Sequence, residues 1–509
     1  MKKKLLTCLI GIGLAIGMAS CGNIEDTTPT TSIVTTTGVP TKAPTQTPTA
    51  EPTSNVGTTQ TGSFTTPEIP AVTTNYPRLR KTTFENSLKK DGPFTTEMFP
   101  SIGENNLLVI PINLDSTKKT QSLLNDIKTS FTGSELETGW HSVNSYYKTS
   151  SYGKLDIKAT ILNEWFTPSK SASYYDSYYD NVNGDYGSTL ILREALAYYE
   201  TQIDYSIYDN DKDGIIDAVW LIYNYDVNFD DSNSDFWAYV YWNQSTNKYD
   251  GLEAYTYGFA GTDFMYEETN AYDNSRFVVD AHTYIHETGH MMGLDDYYDY
   301  DESVGSTDGG LYGADMMDYG IGDHCTISKL LLGWISPTLI SGKGNIEIEL
   351  TPFVKSGDVL LISDHEVTSI YDEYFLIDYY TNDLLNANDE PILSDQNVKA
   401  SGIRVLHVSA QKYYNSKNEQ DWNPDEAYGG GFKYNNSGTK YKFVNMLRAD
   451  YASNMEEYLY PESLFTKTSK IFGQTIFNNH KYYSGSSLNF GFTVKSIETD
   501  LAKIYLTMK

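Results

Sequence analysis

Hydrophobic and polar positions divide the chain into segments of different period. Residues 105–114 (NNLLVIPINL) form an apolar run of the kind expected for a buried strand. Leu192, Ala195, Leu196 and Tyr199 recur at helical spacing and predict an amphipathic helix. Residues 215–223 (IIDAVWLIY) are β-branched and aromatic and predict a second buried strand. Helical patterns return around His286 and His290 and over 327–332. After Trp334-Ile335-Ser336-Pro337 they fade. Segments 344–350, 359–362, 373–380, 402–408 and 441–446 instead predict strands between turn-rich loops. The expected fold class is therefore α/β (α+β) over about 81–340, followed by a mostly β unit over 341–509. No internal repeat is seen.

The N-terminus has a different logic. Lys2, Lys3 and Lys4 precede an apolar run from Leu5 to Ala19, too short to span a bilayer but proportioned like the core of an export signal. Met18-Ala19-Ser20-Cys21 resembles the lipobox of bacterial lipoproteins, with Met where Leu is usual. The expectation is a signal peptide over 1–20 and lipidation of Cys21, with ordinary secretion as the alternative. Residues 21–80 are rich in Thr and Pro, with 8 of the chain's 17 prolines between Pro29 and Pro77. Such a segment lacks the apolar side chains that offset ordering entropy, so a semi-extended tether is expected. The localisation that follows is the outer face of a bacterial membrane, held through lipid alone, or release outside the cell.

Composition narrows the function. Lys and Arg total 37 against 67 Asp and Glu, a formal charge of −30, which argues against nucleic acid or anionic lipid as partner. Residues 1–80 carry 6 basic and 4 acidic side chains, so all of the acidity lies in the folded part. Of three cysteines, Cys8 falls in the signal and Cys21 at the anchor, leaving Cys325 and no internal disulfide. There is no G-x-S-x-G, P-loop or dinucleotide fingerprint.

The most specific motif is His286-Glu287-Thr288-Gly289-His290-Met291-Met292-Gly293-Leu294-Asp295-Asp296. Histidines four apart on a helix share a face and can take two corners of a tetrahedral Zn²⁺. Glu287 flanks the first ligand and can reach a water there as general base. Gly293 ends the helix and can turn the chain sharply, bringing Asp296 back as third ligand, with Asp295 and Asp299 as competitors. Three protein ligands and an open corner describe a catalytic zinc site. His282, one turn earlier, is expected to be a supporting or core histidine more than a fourth ligand, and His324 a structural one. His365, His407 and His480 carry no ligand spacing.

A second cluster, Asp209-Asn210-Asp211-Lys212-Asp213-Gly214-Ile215-Ile216-Asp217, sets oxygens at positions 1, 3, 5 and 9 of an EF-hand-type loop, with Gly214 at the turn. Ile215 would give its carbonyl. Trp220 replaces the usual Glu at position 12, so this is no true EF-hand. A structural Ca²⁺ held by Asp209, Asp211, Asp213, Ile215 and Asp217 is expected, against a plain acidic turn.

The HExxHxxGxxD segment, Tyr297-Tyr298-Asp299, Asp315-Met316-Met317-Asp318-Tyr319-Gly320 and Ser328-Lys329-Leu330-Leu331-Leu332-Gly333-Trp334 together resemble the immune inhibitor A-like family of secreted bacterial metallopeptidases. Ser145-Tyr146-Tyr147, Ser151-Tyr152-Gly153-Lys154-Leu155 and Glu373-Tyr374-Phe375-Leu376-Ile377 add to the likeness, which covers about 100–410. The resemblance implies a metzincin-like zinc endopeptidase domain with His286 and His290 as ligands and Glu287 as catalytic base. It also implies a Met-turn beneath the zinc, aligned with Met317 and in competition with Met316, and a phenol at Tyr319 near the developing oxyanion. Ordinary core packing is the plainer role for both. Many relatives carry an acidic residue where Tyr297 stands, so a ligand role there is closed to this chain. The function expected is hydrolysis of protein or glycoprotein substrates by a tethered zinc endopeptidase. The alternative is a non-catalytic adhesin or glycan-binding lipoprotein with structural metals. Oligomeric state, substrate preference and latency are not legible; residues 78–104 contain no cysteine for a thiolate switch.

Overall fold

The computed structural model describes residues 80–81, 98–227, 234–266, 278–298, 310–311, 313–318, 320–367, 369–388, 400–414, 416–417, 432–437, 441–450, 461–469, 472 and 480–509. The predicted signal, Cys21, Asp299 and Tyr319 lie outside them, as does the predicted tether except for Arg80. No helix among the described residues is long and apolar enough to cross a membrane.

The first half is built on a five-stranded sheet of β1 (Gly103–Ile112), β2 (Leu155–Ile161), β3 (Val219–Tyr223), β4 (Tyr239–Trp242) and β5 (Thr256–Gly261), in the order β2-β1-β3-β5-β4. The first four in that order run parallel, and β4 closes the edge antiparallel to β5. Leu107 to Ile110 and all of β3 are buried, which is why both read as unbroken apolar runs. Five helices matter here: α1 (Gln121–Thr132), α2 (Val143–Ser150), α3 (Gly187–Tyr199), α4 (His282–Met291) and α5 (Thr326–Leu331). The helix predicted from Leu192 to Tyr199 is α3, and all four of the spaced residues are buried in it.

One prediction needs correction. Residues 215–223 do not form a single strand: Ile215–Ile216 pairs with Leu252–Ala254 in a small separate sheet, and the central strand begins at Val219. The cause is Asp217, whose fully buried carboxylate turns into the acidic loop and interrupts the ladder.

Beyond residue 337 the chain is β-rich. A six-stranded sheet takes the order Arg80–Lys81, β6 (Thr338–Ile340), β8 (Val359–Ile362), β9 (Glu373–Thr381), β10 (Ser401–Ser409) and β11 (Val444–Met446). A three-stranded antiparallel sheet joins β7 (Gly344–Leu350), β13 (Leu501–Met508) and β12 (Phe490–Glu498), in that order. Alternation along β9 explains the layering. Tyr374 and Leu376 pack into the core shared with the first half, while Phe375 and Ile377 pack against the three-stranded sheet. Covered on both faces, β9 is buried along its whole length. The larger core runs from Phe99 to Leu464, so it continues across residue 340. The architecture is mixed α/β with several sheets and a β-rich C-terminal region.

Candidate metal centre

The His286-Glu287-Thr288-Gly289-His290 motif lies on α4, which is buried almost all round. The helix settles close to the sheet because Gly258 of β5 has no side chain: a Cβ there would lie 2.6 Å from Met291 Cε and 2.7 Å from the Trp220 ring. Trp220 Nε1 also donates to Thr288 Oγ1 at 3.2 Å, tying β3 to the motif. The helix ends as its sequence requires. Gly293 adopts φ 91°, its N–H donates to His290 O, and Leu294 N–H reaches back to Gly289 O. This paired closure is the Schellman arrangement, which glycine permits without Cβ strain.

That turn returns Asp296 to the histidines. Asp296 Oδ1 stands 2.9 Å from His286 Nε2 and 3.2 Å from His290 Nε2, and the two Nε2 atoms are 3.2 Å apart. Zinc bonds of about 2.0–2.1 Å in a tetrahedron separate ligand atoms by about 3.3 Å. The ring tautomers follow from the other nitrogens. His286 Nδ1 donates to Met316 O and His290 Nδ1 to Leu294 O, each at 2.7 Å, because a carbonyl can only accept. In neutral rings both Nε2 atoms are then lone pairs, facing each other and a carboxylate oxygen. Three acceptors converging in a nearly buried place repel unless a cation lies between them. The electrostatics agree in direction. Burial opposes a proton on His290, but Asp296 outweighs it and raises the affinity of that ring for positive charge. Burial would raise the Asp296 carboxyl, yet His290 and His286 hold it well below its usual range.

Glu287 is 7 % exposed. Burial raises its pKa, and the neighbouring histidines oppose the rise. Asp295 is raised to about 7 by burial and does not join the converging group, whereas Asp296 does. His282 sits in the first turn of α4 with Nδ1 2.6 Å from Asp280 Oδ2, and it too lies outside that group.

Met317 is fully buried against the motif. A Cβ built on Gly289 would lie 2.5 Å from Met317 Sδ, so the glycine between the two histidines is the space the methionine fills. Met316, the competitor for that place, instead gives its carbonyl to His286. Tyr298, which the sequence singled out only as part of a resemblance, lies beside the centre with its ring 6.4 Å from that of His286 and nearly parallel to it.

The acidic loop forms a second group. Asp209, Asp211, Asp213 and Asp217 each bring a carboxylate oxygen within 4.8 Å of the others. Lys212 at φ 65° and Gly214 at φ 96° make the tight turn, and Ile215 leads directly into its short strand. Asn210 turns the other way and clamps the loop to β1, accepting from Asn106 N–H at 2.7 Å and donating to Asn106 O at 3.0 Å. Asp217 is 0 % exposed, and its Oδ2 accepts from Asn210 N–H and Nδ2, while Oδ1 has no hydrogen-bond partner among the described residues. Burial, reinforced by Asp211 and Asp213, pushes Asp217 to about 7 against the Asn210 bonds. A buried, unpaired carboxylate oxygen beside three further carboxylates fits a hard cation such as Ca²⁺.

Sequence spacing gave no reason to join the remaining histidines. Yet His407 Nε2 lies 3.0 Å from Glu373 Oε1, and its Nδ1 lies 3.1 Å from His480 Nε2. Pairing across β9 and β10 sets Phe375 opposite His407, and their rings stack at 4.3 Å. Strand register, invisible in local spacing, brings Glu373 and Phe375 to His407, and His480 reaches them from outside the strands. No family model matches the chain, and no curated protein does.

Proposed function

We propose that the chain is a zinc-dependent endopeptidase. The observation that carries the reading is the convergence of two imidazole lone pairs and one carboxylate oxygen at zinc-ligand spacing, with Glu287 next in sequence to the first ligand. Zinc bound there would supply Lewis acidity, polarising a peptide carbonyl and making water acidic near neutrality.

The residues of the chain do the rest. Met316 O and Leu294 O fix the two rings by their Nδ1–H groups, so both Nε2 atoms face the metal position. Glu287 takes a proton from the attacking water and delivers it to the departing amine. Its raised pKa brings it closer to the operating pH, as a group that must both accept and release a proton requires. Tyr319 remains the proposed donor to the oxyanion, from the Met-x-Tyr spacing alone.

The acidic loop is proposed as a structural Ca²⁺ site that fixes the edge of the first half to β1, a staple for a fold whose only described cysteine, Cys325, is buried and free. The basic start, apolar run and Cys21 support export with a lipid anchor, and the Thr/Pro-rich segment supports a tether. The likeness to immune inhibitor A-like peptidases supports the same activity.

The test is mass spectrometry of a peptide library incubated with wild type and with Glu287→Ala. Internal cleavage by the wild type that vanishes in the zinc-loaded variant is expected. Equal cleavage by both would overturn the mechanism, and no cleavage by a zinc-loaded wild type would overturn the activity.

A further inference from the structure

The buried carboxylate of Asp315 touches none of the three proposed ligands, yet it accepts four hydrogen bonds. Oδ1 takes Met317 N–H at 2.7 Å and faces His324 Nδ1 at 3.2 Å. Oδ2 takes Cys325 N–H at 2.6 Å and Ser328 Oγ–H at 2.7 Å. The side chain is fully buried, and the contacts span α5 and the residues just before it. The carboxylate therefore bolts the Met316-Met317 turn to the start of a helix.

What hangs on that turn is the metal centre. Met316 O orients His286, and Met317 O accepts the N–H of Tyr297, the residue after Asp296, at 2.8 Å. Met317 Sδ fills the space over Gly289, between the two histidines. Ser328 Oγ lies 3.2 Å from Tyr297 OH as well, so the same bolt reaches the third-ligand loop twice. From the β-rich side, Arg404 of β10 donates to Ala314 O at 3.3 Å, next to Asp315 in sequence. One short turn thus contacts the neighbourhood of every proposed ligand, and Asp315 is the side chain that ties it to α5.

We propose that Asp315 is a positioning residue for the metal centre, acting through the Met316-Met317 turn on His286 and on the loop that carries Asp296. The proposal rests on the zinc reading above. An amide at 315 keeps the shape but offers one acceptor oxygen in place of two and no charge, so Met317 N–H, Cys325 N–H and Ser328 Oγ–H compete for it.

The test replaces zinc by Co²⁺ in the whole protein and records the visible ligand-field bands, with Zn²⁺ affinity measured by competition against a chelator. Asp315→Asn is expected to shift those bands and weaken zinc by up to about 10-fold, the low end of what losing a direct hydrogen-bond partner of a ligand costs, since Asp315 acts one step further out through Met316 O. Ser328→Ala, a milder cut at the same bolt, should move both in the same direction by less. Ile504→Val, in the separate core beneath the three-stranded sheet, should lower stability and move neither. A folded Asp315→Asn with wild-type bands and affinity overturns the proposal. Should that variant fail to fold, unchanged bands and affinity in Ser328→Ala overturn it instead. A wild type that takes up no cobalt at His286 and His290 overturns the zinc reading along with it.

Discussion

Replacing Gly289 by Ala is the sharpest probe of how the methionine and α4 fit. The new Cβ would lie 2.5 Å from Met317 Sδ, 3.3 Å from its Cε and 3.4 Å from Tyr147 OH. Comfortable separations for such atoms are about 3.5–4.0 Å, so the sulfur must retreat by roughly 1 Å. Met317 is fully buried, so it has little room to do so. Overpacking of this kind costs about 1–3 kcal/mol, while Ala in place of a helical Gly returns about 1 kcal/mol. The net expectation is a loss of up to about 2 kcal/mol. In a Met317→Ala background the obstruction is gone, and the same substitution should stabilise by about 1 kcal/mol. The coupling between the two sites is then about 1–3 kcal/mol. Urea midpoints of the four proteins at fixed zinc and calcium measure it. An equal effect of Gly289→Ala in both backgrounds would refute the packing argument.

Three further outcomes follow from the same geometry. Chelating calcium should lower the melting temperature of the wild type by a few degrees, since a site filled to 100 times its Kd contributes about 2.7 kcal/mol; Asp217→Asn should lose most of that response, and an unchanged response would count against the site. Burial, helped by His407, holds His480 down to about 4, below its ordinary 6.5. A lowered histidine favours the folded state fully above pH 6.5, and the contribution fades as pH falls towards 4, by about 3 kcal/mol in all. The acid-induced loss of stability in that window should be visibly smaller in His480→Gln, and identical pH profiles would sink the assignment. Finally, Asp296→Ala should weaken zinc far more than Asp295→Ala, read by chelator competition, with the reverse order speaking for Asp295 as the ligand.

The fold was legible wherever one period dominated a segment. The strand at 359–362 and the helix from Leu192 to Tyr199 stand where an unbroken apolar run and helical spacing put them. Residues 215–223 misled because β-branched composition carries no signal for a buried Asp217 that leaves the ladder. Strands β12 and β13 passed unnoticed although buried and less buried positions alternate along them, the same period that marks β7. At the candidate metal centre, His286, His290 and the glycine turn could be read from spacing because helix geometry is local. Asp315, Arg404 and the pairing of His407 with His480 could not. Their partners lie on other elements, and nothing in a single sequence reports which strand faces which.

The central claim is peptide hydrolysis at a zinc held by His286, His290 and Asp296 with Glu287 as base. It is tested most directly by following peptide cleavage against measured zinc content in the wild type and in Glu287→Gln. Activity of the wild type should rise in proportion to zinc up to one ion per chain. The variant should fill with the same one zinc and cleave at least about 100-fold more slowly, the lower end of what general-base loss costs. Cleavage by the zinc-free wild type, or undiminished cleavage by the zinc-filled variant, would contradict the account.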